Sequence, residues 1–336
     1  MSEGVAGSRD LLSRARALES EGSYADVVRL LEPVARAELL AEPELGYRLA
    51  YAWRRTGASA DALRLCTELD LPVRRGAAEW LIRRRLNLEA MLRFDHGDVA
   101  EAAALWQSVV EHASAAGDQA LLSAAHNNLG IVHTLQDHME EAVAAYNRAL
   151  LAARQSGDRR GAAQAHQNLA IIFREKRMPL EADAHFRQAA QGAVSAASDD
   201  VRGRVEEERA LLLLDLDDVR LAEATAGRAL RILADISDVS GEGEAHRVLG
   251  IISLRRRDDL KAREHLSRAL DLAARAHNAL LEAETLEALA VLATREDSTD
   301  AAHAYREQAA EHFARMHAEP WGRRIRERTA ELAAPV

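Results

Sequence analysis

Side-chain amides are concentrated at one place in a recurring pattern of this chain, and amides are well suited to hold another polypeptide. Asparagine and glutamine each carry a hydrogen-bond donor and an acceptor, so one side chain can pair with a peptide group in both directions. The candidates are Asn127, Asn128, Gln167, Asn168 and Asn87, with Tyr47 at the matching place of an earlier segment. We expect these residues to bind an extended or helical peptide. The alternative is that they are solvated or cap neighbouring helices.

Arginines near the same places offer a second kind of contact. A guanidinium binds a carboxylate through two parallel hydrogen bonds. Arg84, Arg174 and Arg247 are therefore candidates to bind an acidic side chain or a terminal carboxylate of a partner. Simple solvation of these arginines is the alternative interpretation.

Three histidines, His126, His166 and His246, occupy equivalent places in three copies of the pattern. Equivalent places in successive helix pairs are separated by about 10 Å, because that is the distance between packed helices. Zinc needs ligands at about 2 Å. We therefore predict histidines packed against a partner helix, and no metal site.

The acidic run Glu206, Glu207 and Glu208 lies in the most divergent copy. Consecutive residues on a helix point about 100° apart, so these carboxylates do not converge as an acid and a base. They form either a solvated face or a docking patch for a basic partner. The chain also lacks a glycine-rich phosphate loop, a His-Glu-x-x-His motif and a Gly-x-Ser-x-Gly motif. We predict no catalytic residue, no cofactor and no enzymatic activity.

The elements that carry these residues recur every 40 residues. The strings His-Asn-Asn-Leu-Gly at 126–130, His-Gln-Asn-Leu-Ala at 166–170 and His-Arg-Val-Leu-Gly at 246–250 share one register. A second series follows the same step, with a further alanine seven residues after each member. Its members are Ala142, Ala182, Ala222, Ala262 and Ala302. A fixed period in this range is typical of a solenoid built from one supersecondary unit.

Each unit is predicted to be a pair of amphipathic helices, because apolar residues recur at helical spacing on both sides of a short polar turn. In the unit from Gln119, we expect Gly130 and Ala142 to lie where the two helices approach most closely. Tyr146 should fill the space beside them. Gly157 and Asp158 then supply a left-handed helix end and the cap of the following helix.

The pattern of Leu-Gly or Leu-Ala, then alanine, an aromatic or aliphatic residue and a second alanine, resembles the tetratricopeptide repeat (TPR). The 40-residue period resembles the repeats of kinesin light chains, bacterial peptide-pheromone receptors and maltose-type transcription activators. The resemblance implies an all-α, right-handed α-solenoid of about eight antiparallel helix pairs. Its parts are two divergent pairs at 1–75, six units at 76–318 and a capping helix with tail at 319–336.

Composition limits the functions that remain. The formal net charge of −10 argues against direct nucleic-acid binding, which needs a basic surface. A single cysteine excludes an internal disulfide framework, and no apolar stretch is long enough to span a membrane. Arginine far outnumbers lysine, which suggests a GC-rich bacterial genome. We therefore expect a bacterial, cytoplasmic protein.

The expected function is a non-catalytic scaffold or adaptor that holds a protein or peptide segment on the concave face of the superhelix. The alternative is a peptide-responsive regulatory protein that controls a transcription or signalling partner. An end-to-end homodimer is a further hypothesis. The repeat itself identifies no partner.

Overall fold

The computed structural model describes residues 2–70, 72–73 and 78–334, and this part of the chain forms helices and no strand. By density of contacts the chain divides into two compact units, residues 1–116 and 117–336. The predicted boundary between residues 75 and 76 falls outside the described residues. Eight pairs of consecutive helices pack together within the described part, as the repeat pattern predicted.

Seven described helices belong to the first unit, and three pairs among them pack together. These helices are α1 (Ser2–Ser20), α2 (Tyr24–Leu31), α3 (Arg36–Ala41), α4 (Pro43–Thr56), α5 (Ser59–Glu68), α6 (Glu79–Asp95) and α7 (Val99–Ala116). The pairs are α1 with α2, α4 with α5, and α6 with α7. Their apolar faces meet in a core that includes Leu31, Leu49, Leu65 and Leu92.

Five helix pairs and one final helix form the second unit. The pairs are α8 (Gln119–Leu135) with α9 (Met139–Ser156), α10 (Arg159–Glu175) with α11 (Pro179–Ser195), α12 (Asp199–Asp215) with α13 (Val219–Asp235), α14 (Val239–Arg255) with α15 (Asp259–Ala276), and α16 (Ala279–Arg295) with α17 (Thr299–Arg315). The final helix is α18 (Glu319–Ala333). The first helix of each pair begins 40 residues after its predecessor, which is the period of the sequence.

A left-handed backbone turn follows every helix from α6 to α17. Gly97, Gly117 and Gly157 supply three of these turns, and non-glycine residues such as Asp137 and Ala197 supply the others. A left-handed conformation costs a non-glycine residue about 1–2 kcal/mol. Backbone hydrogen bonds across the turn, such as His138 N–H to His133 C=O at 2.8 Å, offset that cost. The sequence revealed only the turns made by glycine, because the others depend on the hydrogen bonds of the turn.

The contact between the two helices of a pair is as predicted at Gly130. A Cβ atom added there would lie 2.4 Å from Cε1 of Tyr146, so only glycine permits this approach. Tyr146 and Ala142 are both buried, and the Tyr146 hydroxyl lies 3.1 Å from the Thr134 hydroxyl in a hydrogen bond. The turn prediction is also confirmed. Asp158 caps α10 by accepting from the Gly161 N–H at 2.9 Å.

The final helix α18 does more than cover the last pair. It packs on α16 and α17, which is the place of a capping helix, and it also contacts α14 and α8. The first helices of the five pairs, α8, α10, α12, α14 and α16, lie side by side. We call their shared surface, on which α18 lies, the inner surface. No helix in the described part of the chain has the length and apolar character needed to cross a membrane.

Candidate functional site

Ion pairs attach α18 to the inner surface along its length. Three of its arginines each reach a carboxylate from a different repeat, and the shortest distances are 2.5, 2.7 and 2.6 Å. These pairs are Arg324 with Asp137, Arg326 with Glu287, and Arg328 with Asp215. The Trp321 indole N–H also donates to the Glu284 carboxylate at 2.9 Å. The inner surface therefore already holds one helical segment by polar contacts.

A cavity of about 230 Å³ remains between α18 and the inner surface. Side chains of α8, α10, α12, α14 and α16 line it on one side, and Trp321, Ile325 and Arg328 of α18 line it on the other. Four arginines and five glutamates contribute to the lining, among apolar side chains such as Ile171 and Ile251. A cavity with this mixture can accommodate a side chain that has both an apolar stem and a polar end.

Four of the predicted site residues line this cavity, namely Gln167, Asn168, Arg174 and Arg247. Asn168 Nδ2 donates to Asn127 Oδ1 at 2.8 Å, so these two predicted residues are brought together across neighbouring repeats. Gln167 is almost fully buried and forms no hydrogen bond within the described structure. Its amide is available to a ligand in the cavity.

Asn128 is half-buried on α8 and does not contribute to the cavity lining. The other three predicted residues lie in the first unit. Asn87 is buried and accepts a hydrogen bond from the Trp106 indole at 3.2 Å. Tyr47 is half-buried and stacks on Tyr51, with ring centroids 6.2 Å apart. Arg84 is exposed.

The two cavity arginines are engaged by carboxylates of the protein itself. Arg174 pairs with Glu208 at 2.8 Å and with Glu175 at 3.0 Å. Arg247 pairs with Glu284 at 3.1 Å and with Glu244 at 3.2 Å. An acidic group of a ligand would have to compete with these internal partners.

The acidic run on α12 is not a solvated face, and that interpretation is wrong for Glu207. This residue is only 3% exposed and lines the cavity. Glu206 pairs with Arg228 at 2.9 Å on the outside, and Glu208 pairs with Arg174. Glu207 occupies the same position of the repeat as Asn127, Gln167 and Arg247. This shared position was the sequence signal that Glu207 lies on the inner surface.

Burial and like charges act together on two of the cavity carboxyls. Burial, followed by the negative charges of Glu244 and Glu208, raises the pKa of Glu207 well above its ordinary value. Burial also raises the pKa of Glu244 to about 7, although Arg247 opposes the change. A positive charge brought to this part of the cavity would relieve both effects.

Two of the three repeated histidines, His166 and His246, face the second helix of their own pair, as predicted, and His126 is half-buried. His166 Nδ1 lies 3.0 Å from His185 Nδ1, and His246 Nδ1 lies 3.0 Å from His265 Nδ1. Burial, with a smaller contribution from the neighbouring histidine, lowers the pKa of His166 to about 4. Within the described residues, no three histidine, cysteine, aspartate or glutamate side chains are grouped to hold a metal ion.

Comparison with known proteins agrees with this architecture. The family described as tetratricopeptide repeat matches residues 121–193. No curated protein matches the chain in sequence.

Several solved structures are similar to this chain in fold. A Rap protein complexed with competence and sporulation factor is 14% identical, with 99% of this chain and 100% of that chain covered and a TM-score of 0.63. The apo form of RapI is 11% identical, with 80% and 97% covered and a TM-score of 0.65. NprR in complex with its cognate peptide NprX is 12% identical, with 90% and 88% covered and a TM-score of 0.63. The TM-scores show that these proteins share the fold of this chain, and at such low sequence identity the similarity extends to the fold alone.

Proposed function

We propose that this protein, a helical repeat protein of the tetratricopeptide type, is a non-catalytic scaffold that binds a protein or peptide segment on the inner surface of residues 117–336. The predicted site residues Gln167, Asn168, Arg174 and Arg247 contribute to the binding surface. The partner is a polypeptide, because the side chains that line the cavity are suited to peptide groups and to charged side chains.

The observation that carries this proposal is the cavity between the inner surface and α18. The surface holds a helix of its own chain through arginine–carboxylate pairs and an indole hydrogen bond. Beside that helix lies unfilled space lined by Gln167, a largely buried residue whose amide makes no hydrogen bond with another described residue. Water in the cavity can satisfy this amide in the free protein, and a peptide group can replace that water.

The solved neighbours support the class of ligand without identifying it. Two of the similar structures were determined with a bound factor or peptide, competence and sporulation factor for the Rap protein and NprX for NprR. Their fold is shared with this chain, and the inner surface described above is a suitable place for a peptide. The residues that line the cavity favour a peptide ligand independently of this similarity.

The proposal can be tested with an array of short peptides, measured by fluorescence anisotropy on the full chain. We expect binders whose affinity falls by about tenfold when Gln167 and Asn168 are both changed to alanine, because two hydrogen bonds contribute about 0.5–1.5 kcal/mol each. The matched control changes Gln188 and Gln191, two exposed amides on α11, to alanine. An array without any binder, or equal affinity for both double variants, would contradict the proposal.

A second candidate function is a peptide-responsive regulator, and the position of α18 favours it. A ligand that competes for the inner surface would release the arginines of α18 from Asp137, Glu287 and Asp215. Release of α18 would change the shape of the second unit, and a response partner could detect that change. Small-angle scattering with and without a bound peptide tests this function. A scattering profile that is unchanged at a saturating peptide concentration would contradict the regulator function and would be compatible with the scaffold function.

A further inference from the structure

Glu207 is buried without a partner at the cavity between α18 and the inner surface. Its side chain is 3% exposed and makes no hydrogen bond or ion pair with any described residue. Glutamate is almost never buried without a partner, since the removal of a charged group from water is costly. Glu207 borders the cavity, so a group that enters the cavity can reach its carboxyl and supply the missing partner.

The equivalent residue two repeats later shows how the protein satisfies a glutamate at this place. Glu287 is 1% exposed, and Arg326 of α18 binds it through two nitrogens, at 2.7 and 3.0 Å. The cation that satisfies Glu287 thus comes from a helix lying on the inner surface. Near Glu207, α18 contributes Arg328 to the lining of the cavity, but that arginine pairs with Asp215 and Glu175 and leaves Glu207 without a cation.

The arginines nearest to Glu207 are directed elsewhere. Arg204 pairs with Asp238 at 3.2 Å, and Arg247 pairs with Glu284 and Glu244. Glu244 and Glu208 add negative charge around Glu207, and the positive charges of Arg247 and Arg204 oppose them by smaller amounts. Glutamates outnumber arginines in the lining by five to four, and none of these arginines forms an ion pair with Glu207. An incoming cation can therefore pair with Glu207 without displacing an existing ion pair.

The volume of the cavity limits the size of the group. Clefts that hold a drug-sized ligand have about 300–1,000 Å³, and this cavity has about 230 Å³. The space suits one side chain or one chain end of a larger ligand. Ile171, Ile251 and Ile325 in the lining suit an aliphatic stem, which a lysine or arginine side chain possesses.

We propose that Glu207 binds a cationic nitrogen group of the peptide ligand, either the guanidinium or ammonium of a side chain or the amino terminus. The group enters the cavity and forms with Glu207 the ion pair that Arg326 forms with Glu287. This inference rests on the proposed peptide-binding function and specifies the class of ligand. A peptide with a cation beside apolar residues is the expected partner.

The test uses the full chain and three sets of peptides. One set is N-acetylated and carries a single arginine or lysine, and its matched set carries citrulline or acetyl-lysine instead. The third set has a free amino terminus and neither arginine nor lysine. We expect peptides with a cationic side chain or a free amino terminus to bind about tenfold or more tightly than their neutral matches, because a hydrogen bond to a charged group is stronger than one to a neutral group.

Glu207→Gln should remove this preference for a cation, and Glu287→Gln should retain it. Glu207→Gln is also expected to shift the unfolding midpoint of the free protein upward, whereas loss of an ordinary structural ion pair shifts it downward. Binders that show no preference for a cation, or a preference that persists in Glu207→Gln, would overturn the assignment of Glu207 while leaving peptide binding intact. The absence of any binder in all three sets would overturn both.

Discussion

Two glutamates at the same repeat position, Glu207 on α12 and Glu287 on α16, have opposite environments on one inner surface. Both are almost fully buried. Glu287 is bound by Arg326 of α18, whereas Glu207 lines a cavity and has no partner in the described structure. The repeat therefore decides that this position is buried, and the element lying on it decides whether its charge is balanced.

The comparison also shows how a segment binds to this surface. α18 contributes arginines and an indole, and the inner surface contributes carboxylates from several repeats. Ion pairs contribute little net stability, but removal of one member of a buried pair, such as Arg328 with Asp215, is costly. Such contacts select a segment by charge and position more than by apolar area.

The largest effect is expected when α18 loses its best-connected arginine. Arg328 is buried and binds both oxygens of Asp215 at 2.6 Å, with Glu175 at 3.7 Å. Arg328→Ala removes the ion-pair partner of Asp215 and leaves Glu175 with Arg174 alone, so the free energy of unfolding should fall by about 3–5 kcal/mol. Urea unfolding measures this change. A loss below 1 kcal/mol would show that α18 is not held by these pairs.

A smaller loss of stability is expected at Glu287, the glutamate that is paired with Arg326. Glu287→Gln weakens the contact with Arg326, whose side chain is 43% exposed and can be hydrated instead. The free energy of unfolding should therefore fall by only about 1–2 kcal/mol. Thermal unfolding of the variant beside the parent protein measures the difference. If Glu287→Gln left the free energy of unfolding unchanged, the ion pair with Arg326 would not stabilise the protein, and Glu287 would not differ from Glu207 in this respect.

At Glu207, which has no ion-pair partner in the described structure, substitution by glutamine should raise stability. Glu207→Gln removes a buried carboxyl that has no partner in the free protein, so the free energy of unfolding at pH 7 should rise by about 1 kcal/mol. The same urea titration measures it, with Glu287→Gln as the matched control at the equivalent position. Destabilisation by Glu207→Gln would indicate that the free protein does satisfy this carboxylate.

The smallest effect is the pH dependence of the stability gained by Glu207→Gln. The folded protein raises the pKa of Glu207 above its ordinary value of 4.5, as it does for Glu244. The stability contributed by such a group is fully present below pH 4.5 and is lost as the pH rises through the folded pKa. The advantage of Glu207→Gln should therefore shrink from about 1 kcal/mol at pH 8 towards zero near pH 4.5. Unfolding curves of both proteins at pH 4.5, 6 and 8 test this. A stability difference that is larger at pH 4.5 than at pH 8 would contradict the raised pKa of Glu207.

Much of the fold could be predicted from local sequence. The period of 40 residues, the paired helices and the close approach at Gly130 all follow from the spacing of small and apolar residues. These features depend on neighbours within one unit, such as Tyr146 beside Gly130. Gln167 and Arg247 occupy the same position of the repeat, and the structure shows them around one cavity together with Asn168 and Arg174.

The environment of the candidate site could not be predicted in this way. The carboxylates that hold α18 are distant in sequence, since Arg328 lies 113 residues from Asp215 and Arg324 lies 187 residues from Asp137. No local pattern indicates that a final amphipathic helix will lie across the first helices of earlier repeats. The acidic run at Glu206, Glu207 and Glu208 accordingly resembled a solvated face.

The amino-acid sequence by itself determined the repeating unit, because helix formation and the packing of a pair depend on residues less than one period apart. Tertiary structure alone decided which buried charges are paired, because the partners come from helices several repeats away. Coulomb interactions and desolvation depend on distance in space, and the path of α18 sets those distances for Glu207 and Glu287. That path leaves Glu287 neutralised and Glu207 facing a cavity.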